Sequence, residues 1–524
     1  MIVHIYSAKC SGIDAVKVTV EINITRGIGI HLVGLADVAV KESLLRTTTA
    51  LQSLGFHIPG QKIVVNLAPA DMHKSGSGYD LPIALGIIAA SGQRQLTGLE
   101  KYLVMGELGL DGTLRDIPGA LPYAELAAKE YFKGIILPAG SALEAVEFKQ
   151  LNVFAAANLN DVIDILEEQS DCRDLLVWNT EQYTHTLRHR NAGDNGRAEV
   201  DLADIIGQEG AKRALEIAAS GSHNLLFLGS PGSGKSSLAK ALPGILPPMT
   251  DEEAIVTNKI YSIVGKGNPK GGLSRTRPFR SPHYSASCAA IIGGGAGESI
   301  MPGEVTLAHN GVLFADEFGQ MPKSVIESLR GPMEDRKVTI SRLRSKVEYP
   351  ASFMLVAASN PCPCGYWGEG DRCTCTPVQR MNYISKLSGP ILDRIDLQCV
   401  CHSVSTEDIV KARQGGRKPE SSAQVAERVL KARKIQEKRF AKDGISCNAE
   451  MTNRQIEKYC RLSDSSQETL TRVIERMQLS MRAYFRILKV ARTIADIEGA
   501  DDLKPEHILE AAGYRFLDRG RELD

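Results

Sequence analysis

Residues 229–237 read GSPGSGKSS and set Gly229, Gly234, Lys235 and Ser236 at the G-x-x-x-x-G-K-S spacing. Phosphate chemistry needs those residue types in that order. Glycines let successive backbone N–H groups curl around phosphate oxygens, the lysine reaches the β- and γ-phosphates, and the following hydroxyl ligates Mg²⁺. Gly229, Ser230, Pro231, Gly232, Ser233, Gly234, Lys235, Ser236 and Ser237 are therefore the expected nucleotide contacts. Downstream, GVLFADEFG ends an apolar run in Asp316 and Glu317. An acidic pair at a strand's carboxyl end is costly unless it is used, so Asp316 is expected to complete the Mg²⁺ shell with Ser236. Glu317 is expected to act as the base that polarises an attacking water. The run SFMLVAASN ends in Asn360, an amide that either orients that water or caps the turn before Pro361. In combination these residues point to ATP hydrolysis, with ATP and Mg²⁺ as cofactors.

The residues that follow pose a separate question. Ser359 to Cys375 reads SNPCPCGYWGEGDRCTC, with Cys362, Cys364, Cys373 and Cys375 at C-x-C-x8-C-x-C spacing. Two C-x-C pairs are a poor geometry for disulfides, which are in any case rare in the cytosol. Four thiolates can instead close a tetrahedral metal site, with Gly365, Gly368 and Gly370 permitting the turns that bring the pairs together. Structural Zn²⁺ is the expectation; an iron–sulfur cluster and four free thiols in a surface loop are the alternatives. A stiff metal knuckle starting two residues after Asn360 would hold that amide in register or carry its movement to a neighbour. Cys399 and Cys401, beside His402, form another C-x-C. In a strand both point to one face, and packing explains them as well.

These side chains need elements to position them. An apolar strand, LLFLG, leads into the glycine-rich loop and a helix follows, which is the context a phosphate loop requires. Val312 to Ala315 reads as the strand that delivers the acidic pair. From Asp201 to about Val400 the chain thus reads as an α/β domain. The region up to residue 168 reads as another, alternating short runs such as KIVVNLAP (Lys62 to Pro69) and GIILP (Gly134 to Pro138) with helical patterns. A polar stretch over 169–200, including HRNAGDNGRAE, reads as a linker. Beyond Glu407 the pattern is helical: SSAQVAERVLKARKIQEKRFA, SQETLTRVIERM, SMRAYFRILKVARTIADIEG with Ser480 as N-cap, and KPEHILEAAGYRF with Pro505 in a first turn. The expected division is 1–168, 169–200, 201–403 and 404–524, all within an α/β class that ends in a helical domain.

Composition constrains the partners. The 524 residues are 43% hydrophobic and 24% charged, an ordinary globular balance. Lysine plus arginine equals aspartate plus glutamate at 62 each, so no global basic field marks nucleic acid. The amino terminus lacks the pattern of a secretion signal, and the longest apolar run, Leu81 to Ala90, is too short to span a bilayer. A cytoplasmic chain without a membrane partner is the expectation. Two local clusters are basic. KGNPKGGLSRTRPFRSPHY carries Lys266, Lys270, Arg275, Arg277 and Arg280 with no acid, and RKVTISRLRSKVEYP carries Arg336, Lys337, Arg342, Arg344 and Lys346 on what reads as a β-hairpin. Both are either solvated charged faces or contacts that track a phosphate backbone without reading sequence.

The ordered series of phosphate loop, ADE strand, Asn360, SGPILDRIDL and LSMRAYFRILKVARTIADIEG resembles the AAA+ ATPases of the magnesium-chelatase and MCM branch. With GLADVAVKESLLR, VNLAPADMHKSGSGYDLPIALGIIAASG, IIGQEGAKRALEIAASG, RPFRSPHYSAS and NPCPCGY, the chain is similar to the ComM/YifB family over nearly its entire length. The resemblance implies an AAA+ core and a lid of helices at the carboxyl end. It also implies Arg394 as an arginine finger offered to a neighbouring subunit, Arg482 as the sensor-2 arginine, and hence a homo-hexameric ring. Hairpins at the positions of the basic clusters line the ring pore in related ATPases. The implied activity is a DNA helicase driving branch migration of single-stranded or branched DNA during recombination of incoming DNA, with recombination proteins as partners. A magnesium-chelatase ATPase subunit and a protein-remodelling ring are the rival readings.

The amino-terminal region resembles the Lon-protease-type, ribosomal S5-like domain. A Lon protease needs a serine–lysine pair. Here Gly78 stands where the nucleophile would be and Pro122 or Tyr123 near the lysine position, with Lys74, Ser75 and Ser77 nearby. No protease activity is expected.

Overall fold

The computed structural model describes residues 2–35, 37–74, 76–168, 171–185, 199–268, 270–295, 300–342, 345–369, 372–387, 389–403 and 419–518. The chain opens with two long strands, β1 (Ile2–Ser11) and β2 (Asp14–Thr25), paired antiparallel from Ile2↔Asn23 to Ser11↔Asp14. Period-2 alternation selects this form, with Val18, Val20 and Ile22 pointing inward. Gly12 makes the turn at φ +64. Strands β3 (Ile30–Val33), β4 (Lys62–Ala68), β5 (Tyr102–Val104), β6 (Gly134–Pro138) and β7 (Asn152–Ala156) complete a mixed seven-stranded sheet in the order β3-β4-β2-β1-β5-β6-β7. Helices α1 (Val38–Ser53), α2 (Asp80–Ala90), α3 (Ala120–Lys129) and α4 (Leu159–Glu167) accompany it. The run that was too short to cross a bilayer is α2, buried almost all round because it lies between α1 and the sheet. It lies so close that a Cβ on Gly86 would meet Ile22 at 2.4 Å and Ile5 at 2.7 Å.

The linker expected over 169–200 begins too early. Leu176 bridges to Phe154 on β7, Val177 is fully buried, and the Trp178 indole N–H donates to the Val146 carbonyl at 3.3 Å. Apolar residues spaced through a polar segment gave too weak a period to register, yet they seal the edge of the first domain. The HRNAGDNGRAE stretch lies mostly outside the described residues.

The second domain is built on a parallel five-stranded sheet. Its strands are β8 (Leu225–Gly229), β9 (Phe279–Arg280), β10 (Val312–Ala315), β13 (Met354–Ser359) and β14 (Leu397–Cys401), with the antiparallel hairpin β11 (Lys337–Arg342) and β12 (Ser345–Pro350) inserted between β10 and β13. The order is β9-β10-β13-β8-β14. The strand before the phosphate loop therefore sits between the Asn360 strand and the last strand. Both of its faces are covered, which is why it reads as a continuous apolar run: Leu225 and Phe227 join one core cluster, Leu226 and Leu228 another. Helices α5 (Glu209–Gly221), α6 (Lys235–Ala241), α7 (Asp251–Ile263) and α8 (Pro377–Ile384) belong to this domain. Each opening on β10, β13, β8 and β14 presents its carboxyl end to the same edge, where open α/β sheets bind ligands.

The carboxyl-terminal region is helical as read: α9 (Ser422–Phe440), α10 (Asn453–Tyr459), α11 (Asp464–Met477), α12 (Met481–Glu498) and α13 (Pro505–Gly513). Their starts follow sequence signals, with Ser421, Thr452, Ser463 and Ser480 capping backbone N–H groups. Helices α9 and α12 pack on α5, so this domain shares one apolar core with the second. The first domain docks on α7 instead: Lys259 pairs with Asp14 at 2.5 Å and Glu125 at 2.6 Å, and the Gly119 N–H donates to the Ser262 carbonyl. No helix among the described residues is long and apolar enough to cross a membrane.

Candidate active site

The phosphate loop runs from the end of β8 into α6. Gly232 and Gly234 take φ of +81 and +88, a backbone that L side chains rarely adopt, and a Cβ on Gly229 would lie 2.3 Å from the Cys401 carbonyl. Lys235 is nearly buried, and its ammonium donates to the carbonyls of Gly229 at 2.7 Å and Ser230 at 2.8 Å. Burial lowers its pKa from the usual lysine value. A phosphate anion arriving at this loop would reverse that penalty.

Ser236 and Asp316 come together as required: the Ser236 hydroxyl donates to the Asp316 carboxylate at 2.9 Å. One Mg²⁺ placed between these oxygens would take both as ligands, so the residues fit the ion. Glu317 is exposed beside them on a left-handed backbone, φ +49, with its N–H bonded to Asp316 at 2.9 Å. That conformation is uncommon for a non-glycine residue and gathers at functional sites. Asn360, at the tip of β13, places its amide oxygen 3.4 Å from the Lys235 ammonium. This puts the amide beside the phosphate site, within reach of the position its water-orienting reading requires.

Three neighbours of this site carried no assignment from sequence. Gln208 donates to the Ser233 carbonyl at 2.9 Å and the His402 carbonyl at 2.5 Å, bracing the loop from outside. Tyr383 reaches in from α8, where a Cβ on Gly319 would meet its hydroxyl at 2.7 Å. Glu369 accepts from Ser230 of the phosphate loop at 2.5 Å. A cavity of about 610 Å³ opens here, lined by Ser230, Asn360, Trp367, Glu369, Tyr383 and Phe516 among others. Gln208 had a readable signal in IIGQEG; the others depend on long-range contacts that spacing does not encode.

The four knuckle cysteines converge. Their sulfurs all lie within 4.8 Å of one another, with Cys362–Cys364 at 3.3 Å, Cys362–Cys373 at 3.8 Å and Cys364–Cys373 at 3.7 Å. A tetrahedron with Zn–S bonds of about 2.3 Å has edges near 3.8 Å, so the thiolate set fits such an ion. The Cys364 backbone N–H points at Cys375 Sγ at 3.4 Å, and the N–H of Tyr366 brings the Cys364 thiol down to about 6. None of the eleven cysteines of the chain is in a disulfide. Cys399 and Cys401 both face the core from β14, in keeping with a packing role.

The two arginines lie together, away from the phosphate loop. Arg394 pairs with Glu334 and donates to the Pro390 carbonyl at 2.7 Å, so neither Asp393 nor Asp396 is its partner. Asp393 instead meets Arg482 at 3.4 Å, and Asp396 meets Arg486. Arg394 draws the Glu334 carboxyl below its usual range, and Arg482 and Arg486 add to the effect. Burial alone would raise Asp396, but Arg486 and His223 hold it well below the carboxylate range. Ser480 caps α12 through the Ala483 N–H at 3.2 Å, which sets Arg482 in a defined first turn with its side chain 67% exposed. Among the described residues, neither Arg394 nor Arg482 bonds to the phosphate loop, Asp316 or Glu317.

The basic loop needs correction. It holds no acid of its own, but the fold supplies them: Arg275 pairs with Asp251 at 2.5 Å, Arg277 with Glu253 at 2.8 Å, and Arg280 forks onto Glu304 at 2.7 and 2.8 Å. Two of these acids come from α7 and one from the short helix Glu304–Leu307. The expected loop also contains β9, an edge strand of the sheet. Its early part leans on the first domain, where the Gly272 N–H donates to the Leu143 carbonyl at 2.8 Å. Lys266 and Lys270 are exposed. The second cluster forms the expected hairpin, in register from Lys337↔Pro350 to Arg342↔Ser345. Lys346 is exposed on it, whereas Lys337 pairs with Glu348 at 3.1 Å and Arg336 with Glu450. Arg344 and the side chain of Arg342 lie outside the described residues.

In the first domain, the residues at the Lon-like positions are packed or engaged. A Cβ on Gly78 would meet Met105 at 2.8 Å, and Pro122 and Tyr123 are buried on α3. Lys74 is fully buried with its ammonium on the Pro69 carbonyl, and the Ser77 hydroxyl donates to Glu107. Ser75 lies outside the described residues.

Comparison with known proteins decides the family. Three family models match in order: Subunit ChlI of Mg-chelatase over residues 20–141, Magnesium chelatase, subunit ChlI over 201–409, and its C-terminal model over 419–515. The chain is 42% identical to the competence protein ComM of Haemophilus influenzae, covering 98% of this chain and 97% of that one. The chain belongs to the ComM/YifB family of magnesium chelatase-like AAA+ ATPases. It is also 41% identical to the uncharacterized protein YifB of Escherichia coli, over 99% of this chain and 97% of that one. The magnesium-chelatase 67 kDa subunit of Heliobacterium mobile is 27% identical over 32% of this chain and 29% of its own length. ATP and Mg²⁺ follow as the cofactors of this family of ATPases, in agreement with the geometry of Lys235, Ser236 and Asp316.

Proposed function

We propose that this chain is a ring-forming ATPase that couples ATP hydrolysis to movement on DNA, with branch migration during recombination of incoming DNA as the activity. The observation that carries the ring is the position of Arg394 and Arg482, which share one ionic cluster and, among the described residues, make no bond to their own phosphate loop. Cations stabilise charge on a transferred phosphoryl group only when they reach it, so a neighbouring subunit's nucleotide is their target. A hexamer is the closed assembly proposed. Zn²⁺ is the proposed occupant of the knuckle, with a structural role. The likeness to a competence protein and the exposed Lys346, Lys266 and Lys270 support DNA as the track.

A second reading has an observation of its own. Arg275, Arg277 and Arg280 are already neutralised by Asp251, Glu253 and Glu304, which leaves less positive surface than the loop's composition implied. A ring that remodels a protein client, or a chelatase-like subunit, needs less. Steady-state ATP hydrolysis distinguishes the two, measured without DNA and with single strands, duplex and a four-way junction at low and high salt. Stimulation that is greatest with the junction and suppressed by salt supports the motor. An active ring indifferent to every DNA shifts the function to a protein or tetrapyrrole-pathway client.

A further inference from the structure

Glu369 lies on the knuckle between its two cysteine pairs, yet its carboxylate leaves the knuckle. One oxygen accepts from Ser230 of the phosphate loop at 2.5 Å and from Ser403 at 2.6 Å, and the other faces Arg372 at 3.3 Å. These partners have a topological meaning. Ser230 follows β8 and Ser403 follows β14, strands paired at Gly229↔Cys401, while the knuckle follows β13 on the other side of β8. One carboxylate therefore ties together the carboxyl ends of three adjacent strands. A second contact reinforces it: a Cβ on Gly365 would meet Pro231 of the phosphate loop at 2.8 Å, so the knuckle backbone lies directly on that loop. The side chain of Glu369 is 18% exposed, and hydrogen bonds from Ser230 and Ser403 hold its carboxyl below the usual glutamate range.

The carboxylate bonds the Ser230 hydroxyl and leaves the loop's backbone N–H groups to the phosphates. Arg372 balances its charge, so it braces the loop without competing for the anion. We propose that Glu369 is a positioning residue through which the metal state of the knuckle sets nucleotide affinity. This rests on the reading of the four cysteines as a metal site and of residues 229–237 as a nucleotide site. With the metal bound, Cys362 and Cys364 anchor the chain that leads to Glu369, and Glu369 holds the loop in its binding shape. Without it, four uncompensated sulfurs relax, Glu369 withdraws from Ser230 and Ser403, and the loop must be ordered at the nucleotide's expense. Coupling of this kind is reciprocal: nucleotide must retard metal loss by the same thermodynamic factor by which metal favours nucleotide.

The test is a binding titration of the full-length protein with a fluorescent ATP analogue, after elemental analysis of the purified chain. Metal is stripped with a zinc-selective chelator under excess Mg²⁺. Stripping is expected to weaken binding by about fivefold in the wild type. E369A is expected to bind as weakly as the stripped wild type while retaining its metal, and to show no further loss on stripping. E369Q keeps an oxygen acceptor for both hydroxyls and is expected to restore affinity and metal dependence. In the reverse direction, the analogue should slow metal release to the chelator in wild type and E369Q, not in E369A. Wild-type affinity in E369A, or an equal drop on stripping in E369A and wild type, overturns the proposal. A purified chain without metal overturns the coupling alone, because E369A against E369Q still reports on the brace. A wild-type chain that does not bind the analogue overturns the nucleotide-site reading itself.

Discussion

Glu317 holds its position at a cost. A left-handed glutamate is disfavoured by about 1–2 kcal/mol, and the Asp316 carboxylate that accepts its N–H helps to keep it there. E317Q is expected to keep ATP affinity within about twofold and to lower kcat by about 10²–10⁴, since the amide retains the shape of the proposed base and cannot take its proton. A hydrolysis assay paired with a binding titration checks this, and a parallel fall in both would place Glu317 in binding instead. Lys235 acts earlier. K235A removes the cation that organises the loop carbonyls and meets the phosphates, so nucleotide binding itself should be lost. These residues were legible because a single short spacing carries their chemistry. Glu369 and Tyr383 were not, since each acquires its role from a partner far along the chain.

At the scale of elements, the helix starts test the energetics. Ser480 caps α12 and so orients Arg482. S480A is expected to lower stability by about 1 kcal/mol, read by urea unfolding, and to depress ATP hydrolysis more than this small loss explains. His309 offers a pH test. It precedes β10, accepts a hydrogen bond from the Ser352 N–H at 3.0 Å, and burial pushes its pKa down to about 4. The unfolded chain then binds the proton first, so this contribution to stability is present above the ordinary histidine pKa near 6.5 and lost as pH falls toward 4. Melting curves between pH 7 and pH 4.5 should show it, and an H309N variant should flatten part of the slope. An unchanged slope in H309N would assign the acid sensitivity to other groups. The hairpin β11–β12 shows how far pattern reading reaches: alternation predicted its strands, but the pairing of Lys337 with Glu348 and of Arg336 with Glu450 came from the fold.

For the whole molecule, the prediction is dependence between subunits. Under the proposed ring, in which each Arg394 serves a neighbour, mixing wild-type chains with R394A chains should depress ATP hydrolysis more steeply than the fraction of mutant. A linear decline would mean that Arg394 acts within its own chain. The first domain is expected to leave casein intact, as Lys74 and Ser77 are committed to Pro69 and Glu107; serine-dependent cleavage would reverse that reading.

The sequence by itself determined the family, the phosphate loop, the acidic pair, the amide at the strand tip and the helical carboxyl-terminal region. The family rests on the resemblance of an ordered series of motifs, and the others on local rules of spacing or periodicity. Only the tertiary structure decided which acids neutralise the arginines of the basic loop, that Arg394 and Arg482 share a cluster that makes no bond to their own loop among the described residues, and that the polar stretch after residue 168 partly belongs to the first domain. It also decided that the knuckle leans on the phosphate loop through Glu369. The physical reason is common to all four. Charge compensation and packing are set by which distant side chains the fold brings within bonding distance, and local sequence encodes the strands and turns but not those meetings.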